Sequence, residues 1–364
     1  MSKQAELVQR VRDLSKQSLR PLVEKIDCEG LYPEAFMREL GAAGGFASVG
    51  TEAEGGNGLG LFAQIEVMRA VGAECGATAF SVWCQSACAW YLHQTDRAVV
   101  RERYLKDVLQ GKILAGTGMS NTVKHLANIE KHLLQAEKTD GGYIVNGSLP
   151  WVSNIGENHI WASSAQLGDE GYVMFVTGGH VEGISLHACP EFCALEGTQT
   201  LNVRYENVFV KEADILADAA EFPAYIQKIK TGFILLQMGI GAGVVEGCLG
   251  VIRMANVSSA EVNRFLDYSF DEIRADLEAA WAETERLSDL AWDNRPDALA
   301  TLKLRAAASE LTLAASQSAA LHAGAKGYLM RSPAQRRMRE AMFVAIVTPA
   351  LKHLRKEIAA LESA

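Results

Sequence analysis

GGYIVNGSLPWVSNIGENHIWASSAQLGDEGYVMFVTGG, Gly141–Gly179, is the stretch on which the fold turns. It contains the short runs GGYIVNGSLPWVS, HIWASSAQL and GYVMFVTGG, rich in β-branched and aromatic residues. Gly, Asn, Asp and Pro break them at intervals of roughly 8–12 residues, the spacing of short strands joined by turns. GISLHA (183–188) and TLNVRYENVFV (200–210) continue the pattern. The whole region 114–222 is therefore expected to be a small β domain, a sandwich or barrel.

On either side the period changes. Residues 1–113 read as helices: AELVQRVRDLSKQSLRPLVEKI spaces its apolar residues helically, and Pro33 opens PEAFMRELGAAG. A glycine-rich loop, TEAEGGNGLGL, precedes IEVMRAVGAEC, and RAVVRERYLKDVLQGK ends the zone near Gly111. Residues 223–364 return to long helices. DEIRADLEAAWAETERLSDLAW and ALATLKLRAAASELTLAASQSAALHAGAKGY carry sustained apolar faces, as a four-helix bundle requires. The fold class is α+β, with an N-terminal helical domain, a central β domain and a C-terminal bundle.

Composition narrows the function. The chain has 364 residues, 49% apolar and 22% charged, and 35 basic against 44 acidic residues give a net charge of −9. Nucleic acid and anionic membrane are poor partners for such a surface. The most apolar window, GFILLQMGIGAGVVEGCLGVI (232–252), carries Gln237, Glu246 and several glycines, and reads as a buried helix and not a membrane span. Seven scattered cysteines without a CxxC pair imply free thiols in a reducing cytosol and no metal site. MSKQAELVQRVRDLSKQ lacks the apolar core of a secretory leader, so the expected location is cytoplasmic. The cluster Gly239, Gly241, Gly243, Gly247 misses the dinucleotide fingerprint by one place and reads as close helix packing.

The ordered set TEAEGGNGLGL, RERYLKDVLQGKILAGTGMSN, GGYIVNGSLPWVSN, CALEGTQTLNVRYENVFV and GAKGYLMRSPAQRRMREA, spread over the chain, resembles the acyl-CoA dehydrogenase family. That resemblance implies an FAD enzyme in which a carboxylate removes a substrate α-proton while a β-hydride passes to the flavin. It also implies a homodimer or homotetramer, and an electron-transfer flavoprotein as reoxidant. Trp151 and Ser153 take the places that pack beside the isoalloxazine and bond its polar edge, although a core tryptophan is the alternative for Trp151. Met119 and Ser120, in the strand GTGMSN, match the stretch that meets the pyrimidine edge. Gly324 and Gly327, in GAKGY, match the turn that approaches the pyrophosphate of a neighbouring subunit. Trp83, Gln85 and Ser86 lie where the acyl pocket is lined.

The departures are concentrated. The usual catalytic Glu falls on Thr348, whose hydroxyl is far too weakly basic to take an α-proton. The alternative Glu position falls near Phe233, and the Arg beside it that meets CoA becomes Ile234. A phosphate-binding continuation is rebuilt as VKHLAN, where Lys124 and His125 either replace the anion contacts or are simply solvated. Glu246 is the one acid in the apolar helix, either a base with a raised pKa or a paired carboxylate. The expected activity is α,β-dehydrogenation of an acyl-CoA thioester. The alternatives are other flavin chemistry (an oxygenase, N-hydroxylase or desulfinase) on the same fold and a non-catalytic subunit paired with a paralogue.

Overall fold

A computed structural model describes residues 2–363. The first zone folds as α1 (Lys3–Leu14), α2 (Val23–Glu29), α3 (Glu34–Ala42), α4 (Gly60–Gly72), α5 (Gly76–Gln94) and α6 (Ala98–Leu109). The centre follows as β1 (Ala115–Thr117), α7 (Ser120–Leu126), β2 (Leu134–Thr139), β3 (Gly142–Val152), β4 (Ile160–Gln166), β5 (Tyr172–Gly178), β6 (Ile184–Ala188), β7 (Leu201–Lys211) and β8 (Ile215–Ala217). The last zone is α8 (Phe222–Leu236), α9 (Met238–Asn263), α10 (Phe270–Trp292), α11 (Ala298–Ala323), α12 (Pro333–Ile346) and α13 (Leu351–Glu362).

The strands form one eight-stranded sheet in the order β6-β7-β3-β2-β4-β5-β8, with β1 running parallel to β4. It curls over its own core of Val145, Leu149, Trp161, Phe175, Val203 and Tyr205. The curl brings non-neighbouring strands together: Trp161 Nε1 on β4 donates to Tyr205 Oη on β7 at 2.7 Å. The centre is not all strand, because α7 interrupts it. GTGMSN was expected to be a strand, but pairing stops at Thr117, and Ser120 opens a helix with Met119 at its cap.

The two helical zones share a single apolar core, so the first and last thirds of the chain fold as one body. Glycine makes this possible. A Cβ on Gly243 of α9 would lie 2.6 Å from Gly72 Cα of α4, so only bare backbone allows the two helices to touch. The apolar window expected as one helix is split at Gln237 between α8 and α9. By length and composition Phe222–Asn263 could cross a membrane, but 78% of its most apolar window is buried inside the protein. Its hydropathy reflects core packing.

Ser269 and Glu272 close a capping box on α10, and Ser332 with Pro333 opens α12, so local sequence fixes both starts.

Candidate active site

A cavity of about 610 Å³ opens where all three zones meet. That lies within the roughly 300–1,000 Å³ of ordinary ligand sites. Its walls are Phe80, Trp83 and Cys84 from α5, Thr117 and Ser120 beside β1, and Trp151 and Ser153 from the end of β3. Phe233 of α8, Phe343 and Ile346 of α12, and the loop Val347–Ala350 complete it. The aromatic side is packed edge and face. Phe80 stacks on Trp83 at 5.4 Å, Phe343 meets Phe80 at 4.6 Å, and Trp83 meets Phe233 at 5.1 Å.

Trp151 is aimed into this space by a register shift. The β3–β7 pairing slips between Leu149 and Val152, and Trp151 takes a left-handed φ of 56° that bulky residues rarely adopt. The indole stays 59% exposed, with only Phe192 as an aromatic neighbour at 6.1 Å. It is therefore not a core tryptophan. Ser153 is buried, its Oγ 2.6 Å from Thr200 Oγ1, and Thr198 Oγ1 lies 2.7 Å from the same atom. A bare aromatic plane beside a row of hydroxyls fits a flat heteroaromatic ring with a polar rim.

No carboxylate lines the cavity among the described residues, whereas Lys124, Arg339, Lys352 and His353 do. Lys124 is paired with Glu130 at 2.9 Å, and His125 bonds Tyr172 Oη at 2.7 Å. Both are structural partners, and neither is merely solvated. Arg339 holds Asp27 through two bonds of 2.8 and 2.6 Å. Lys352 has no ion pair among the described residues.

Thr348 sits on the wall with its Oγ1 2.7 Å from Ser120 Oγ, while its carbonyl accepts from Gln237 Nε2 at 2.8 Å. Gln237 Oε1 in turn accepts from Arg305 Nε at 3.0 Å, and Arg305 donates to Val344 O at 2.7 Å. Burial pulls the Arg305 pKa down to about 10.

The other expected residues separate. Trp83 faces the cavity. Gln85 does not, because its amide bonds Val108 O and Ile113 O at 2.9 Å and accepts from Ala115 N at 2.6 Å, holding α5 to α6 and β1. Ser86 Oγ caps Val82 O within its own helix at 2.8 Å. Met119 lines a second cavity of about 520 Å³ on the other side of Phe233, with Thr301, Pro349 and Glu357. Gly324 and Gly327 lie in the turn Gly324–Tyr328 after α11, away from both cavities. Glu246 is no base: Arg12 at 2.6 Å and Arg69 at 2.9 Å hold its carboxyl below the usual range despite the opposing effect of burial.

Sequence reasoning missed His353 and Glu357. His353 is buried, its Nε2 is 2.6 Å from Glu357 Oε1, and Lys230 Nζ reaches Glu357 Oε2 at 2.6 Å. Burial opposes ionisation of Glu357, but the His353 and Lys230 bonds override it and bring its pKa to about 2. The i,i+4 pair in LKHLRKEI was the available signal.

Comparison with known proteins first defines the class. Butyryl-CoA dehydrogenase from Megasphaera elsdenii superposes with a TM-score of 0.91 at 17% identity, covering 100% of this chain and 99% of that one. The prolyl acyl carrier protein oxidase AnaB gives 0.85 at 18% identity over the full length of both chains. The architecture is that of the acyl-CoA dehydrogenases. Residues 1–112 match the family described as acyl-CoA dehydrogenase, N-terminal domain. Benzylmalonyl-CoA dehydrogenase of Aromatoleum aromaticum is 24% identical over 344 residues, 91% of this chain and 90% of that protein. Residues 1–112 thus carry the acyl-CoA dehydrogenase N-terminal domain, and the chain as a whole is similar to acyl-CoA dehydrogenases in sequence and fold.

Proposed function

We propose that the protein is an FAD-dependent oxidoreductase that removes a hydrogen pair across the α,β bond of an acyl thioester. The carrying observation is the cavity itself, with Trp151 uncovered on its wall and Thr348 in the same lining. When bound there, FAD would supply a two-electron acceptor for the β-hydrogen. Trp151 would give the ring a flat apolar contact, and Ser153, with Thr198 and Thr200 behind it, a row of hydroxyls for its polar edge. The Phe80, Trp83, Phe233 and Phe343 wall would exclude water from the acyl chain. Lys352, without an ion pair among the described residues, suits an anionic carrier, either CoA or the phosphopantetheine of a carrier protein.

Exposed apolar side chains support assembly. Met254, Val257, Val262 and Phe265 on the α9 end and Leu321, Tyr328, Leu329 and Met330 near the α11 end all face solvent. Asn263 Nδ2 donates to His322 O at 3.2 Å, which places these two ends together. We read this face as a homo-oligomer contact that carries Gly324 and Gly327 toward a neighbour's cofactor. An electron-transfer flavoprotein is the proposed reoxidant. The seven free thiols suit a reducing, cytoplasmic setting.

One observation favours a second reading. A cavity without a carboxylate does not need to abstract an α-proton, so flavin–oxygen chemistry on the same ligand class is the competitor. The absorption spectrum of the purified protein, followed by anaerobic addition of acyl-CoAs of graded length, separates them. Bleaching of the flavin band is expected. A flavin that no acyl-CoA bleaches anaerobically, but that turns over with oxygen and an external reductant, would transfer the assignment to the second reading.

A further inference from the structure

Two separate groups of aromatic side chains line the cavity of about 610 Å³. Trp151 and Phe192 form one, with ring centroids 6.1 Å apart. Phe80, Trp83, Phe233 and Phe343 form the other, and their rings meet at 5.4, 4.6 and 5.1 Å. Among the described residues no ring contact joins the two groups. One flat heteroaromatic ring on Trp151 therefore leaves a second aromatic surface without a ligand group.

That second surface is built from three helices: Phe80 and Trp83 come from α5, Phe233 from α8 and Phe343 from α12. Trp83 spends its one polar hydrogen internally, Nε1 donating to Phe233 O at 3.4 Å. A ligand meets no hydrogen-bonding group on these four side chains, only ring faces and edges. The orientations are mixed. Phe80 and Trp83 are nearly parallel at 11°, whereas the Phe80–Phe343 and Trp83–Phe233 pairs are steep, at 68° and 63°. Ring faces carry partial negative charge and ring edges partial positive charge. Such an array complements another aromatic ring better than an aliphatic group of similar size.

The same array limits length. Centroids about 5 Å apart put the rings in contact, so no alkyl chain passes between them. Phe80, Trp83 and Phe233 belong to the apolar core shared by the two helical zones, and Phe343 packs against it. The array also has little freedom to part. Arg305 bonds Gln237, at the end of the helix that carries Phe233, and Val344 O, next to Phe343.

We propose that the acyl group of the substrate carries an aromatic ring on its β-carbon, as in a 3-arylpropanoyl thioester, and that Phe80, Trp83, Phe233 and Phe343 select it. This rests on the thioester reading above. The β-carbon is the outer atom of the bond oxidised there, so a ring attached to it is the group that reaches the aromatic surface. The double bond formed is then conjugated with that ring. A long straight chain finds no route past the array.

The test is binding, measured by isothermal titration calorimetry on the purified protein with its flavin content recorded. The probes are the phosphopantetheine thioesters of 3-phenylpropanoic, 3-cyclohexylpropanoic and octanoic acids, because that arm is common to CoA and a carrier protein. Phenyl and cyclohexyl groups are close in size and the saturated ring is the more hydrophobic, so apolar burial alone would favour it. The 3-phenylpropanoyl thioester is expected to bind at least about tenfold tighter than either of the others. Phe343→Leu keeps the wall apolar and removes one ring, and should cut the preference to about threefold or less. Phe80→Leu is read in parallel, so a variant that fails to fold does not decide the matter.

Equal or tighter binding of the cyclohexyl or the octanoyl thioester overturns the proposal. So does a phenyl preference that both variants leave intact, or a failure of all three thioesters to bind. The flavin spectrum of the same samples, kept anaerobic, reports on the dehydrogenase reading separately. Bleaching without a ring preference keeps that reading and removes the aryl specificity. A ring preference with flavin present and unbleached does the reverse.

Discussion

Two charged clusters on the same stretch of chain behave oppositely. At Glu340 every polar group is satisfied. The carboxylate takes Arg336 and Arg337 at 2.8 Å each and the Gly76 amide at 2.9 Å, at the positive end of α5. These partners hold it ionised although it is fully buried. Thirteen residues later, in the His353–Glu357 pair only the histidine is fully buried and its Nδ1 has no partner, and Arg339 Nε is also unpartnered. A closed network specifies packing, while an open one is a place where something else belongs.

The largest expected effect comes from breaking the closed cluster. Arg337→Ala takes one of two guanidinium partners from a buried carboxylate and removes the bond from Arg337 to Gly72 O at 2.9 Å. A loss of about 3–5 kcal/mol in urea unfolding is expected. A loss under about 1 kcal/mol would erase the contrast.

Next is His132, a buried histidine with both nitrogens used. Burial lowers its pKa from 6.5 to about 4. The unfolded chain therefore binds a proton below 6.5 that the folded chain refuses until about 4. Stability present above pH 6.5 should fall as pH drops across that window, on the order of 3 kcal/mol. Glu357 adds a second decline lower down. Its folded pKa lies below the ordinary value of 4.5, so its contribution holds above 4.5 and is lost as pH falls toward about 2. His132→Gln should flatten the upper decline only, as read from thermal midpoints against pH.

Trp151→Ala tests the open side. The indole is 59% exposed, so stability should move by about 0.5 kcal/mol or less. Flavin affinity should weaken at least about tenfold, or about 1.4 kcal/mol, measured by fluorescence titration. A large stability loss with flavin retained would make Trp151 a packing residue.

Glu246→Gln returns to the closed side of the contrast. Its pair with Arg12 and Arg69 is closed but partly wet, the three side chains being 27%, 31% and 21% exposed. About 1–2 kcal/mol is expected in the same unfolding assay.

The α–β–α order was readable because strand and helix periods differ sharply on either side of residues 114 and 222. The helix α7 was hidden because SNTVKHL sits among strand-like runs and has no side-chain cap to announce it. Trp151 and Ser153 were singled out only through the family resemblance, and the register shift that turns the indole outward depends on pairing with β7, far along the chain. Gln85 was misread because a buried amide among apolar residues looks the same whether it faces a ligand or three backbone groups. His353 escaped notice for a related reason. An i,i+4 His–Glu pair is ordinary on a solvated helix, and only the fold buries it against a cavity.

Gln237 has a last consequence, for which substrates fit. Through it the split between α8 and α9 is tied to Thr348 O, and through Arg305 to Val344 O. The floor of the cavity is bolted to the bundle on two sides and has little compliance. The opposite lip, around Pro190, Phe192 and Cys193, belongs to a coil with no regular pairing. A bulkier acyl group would therefore be admitted by bending of that lip, and variants that widen substrate range should accumulate there before they accumulate beneath Thr348.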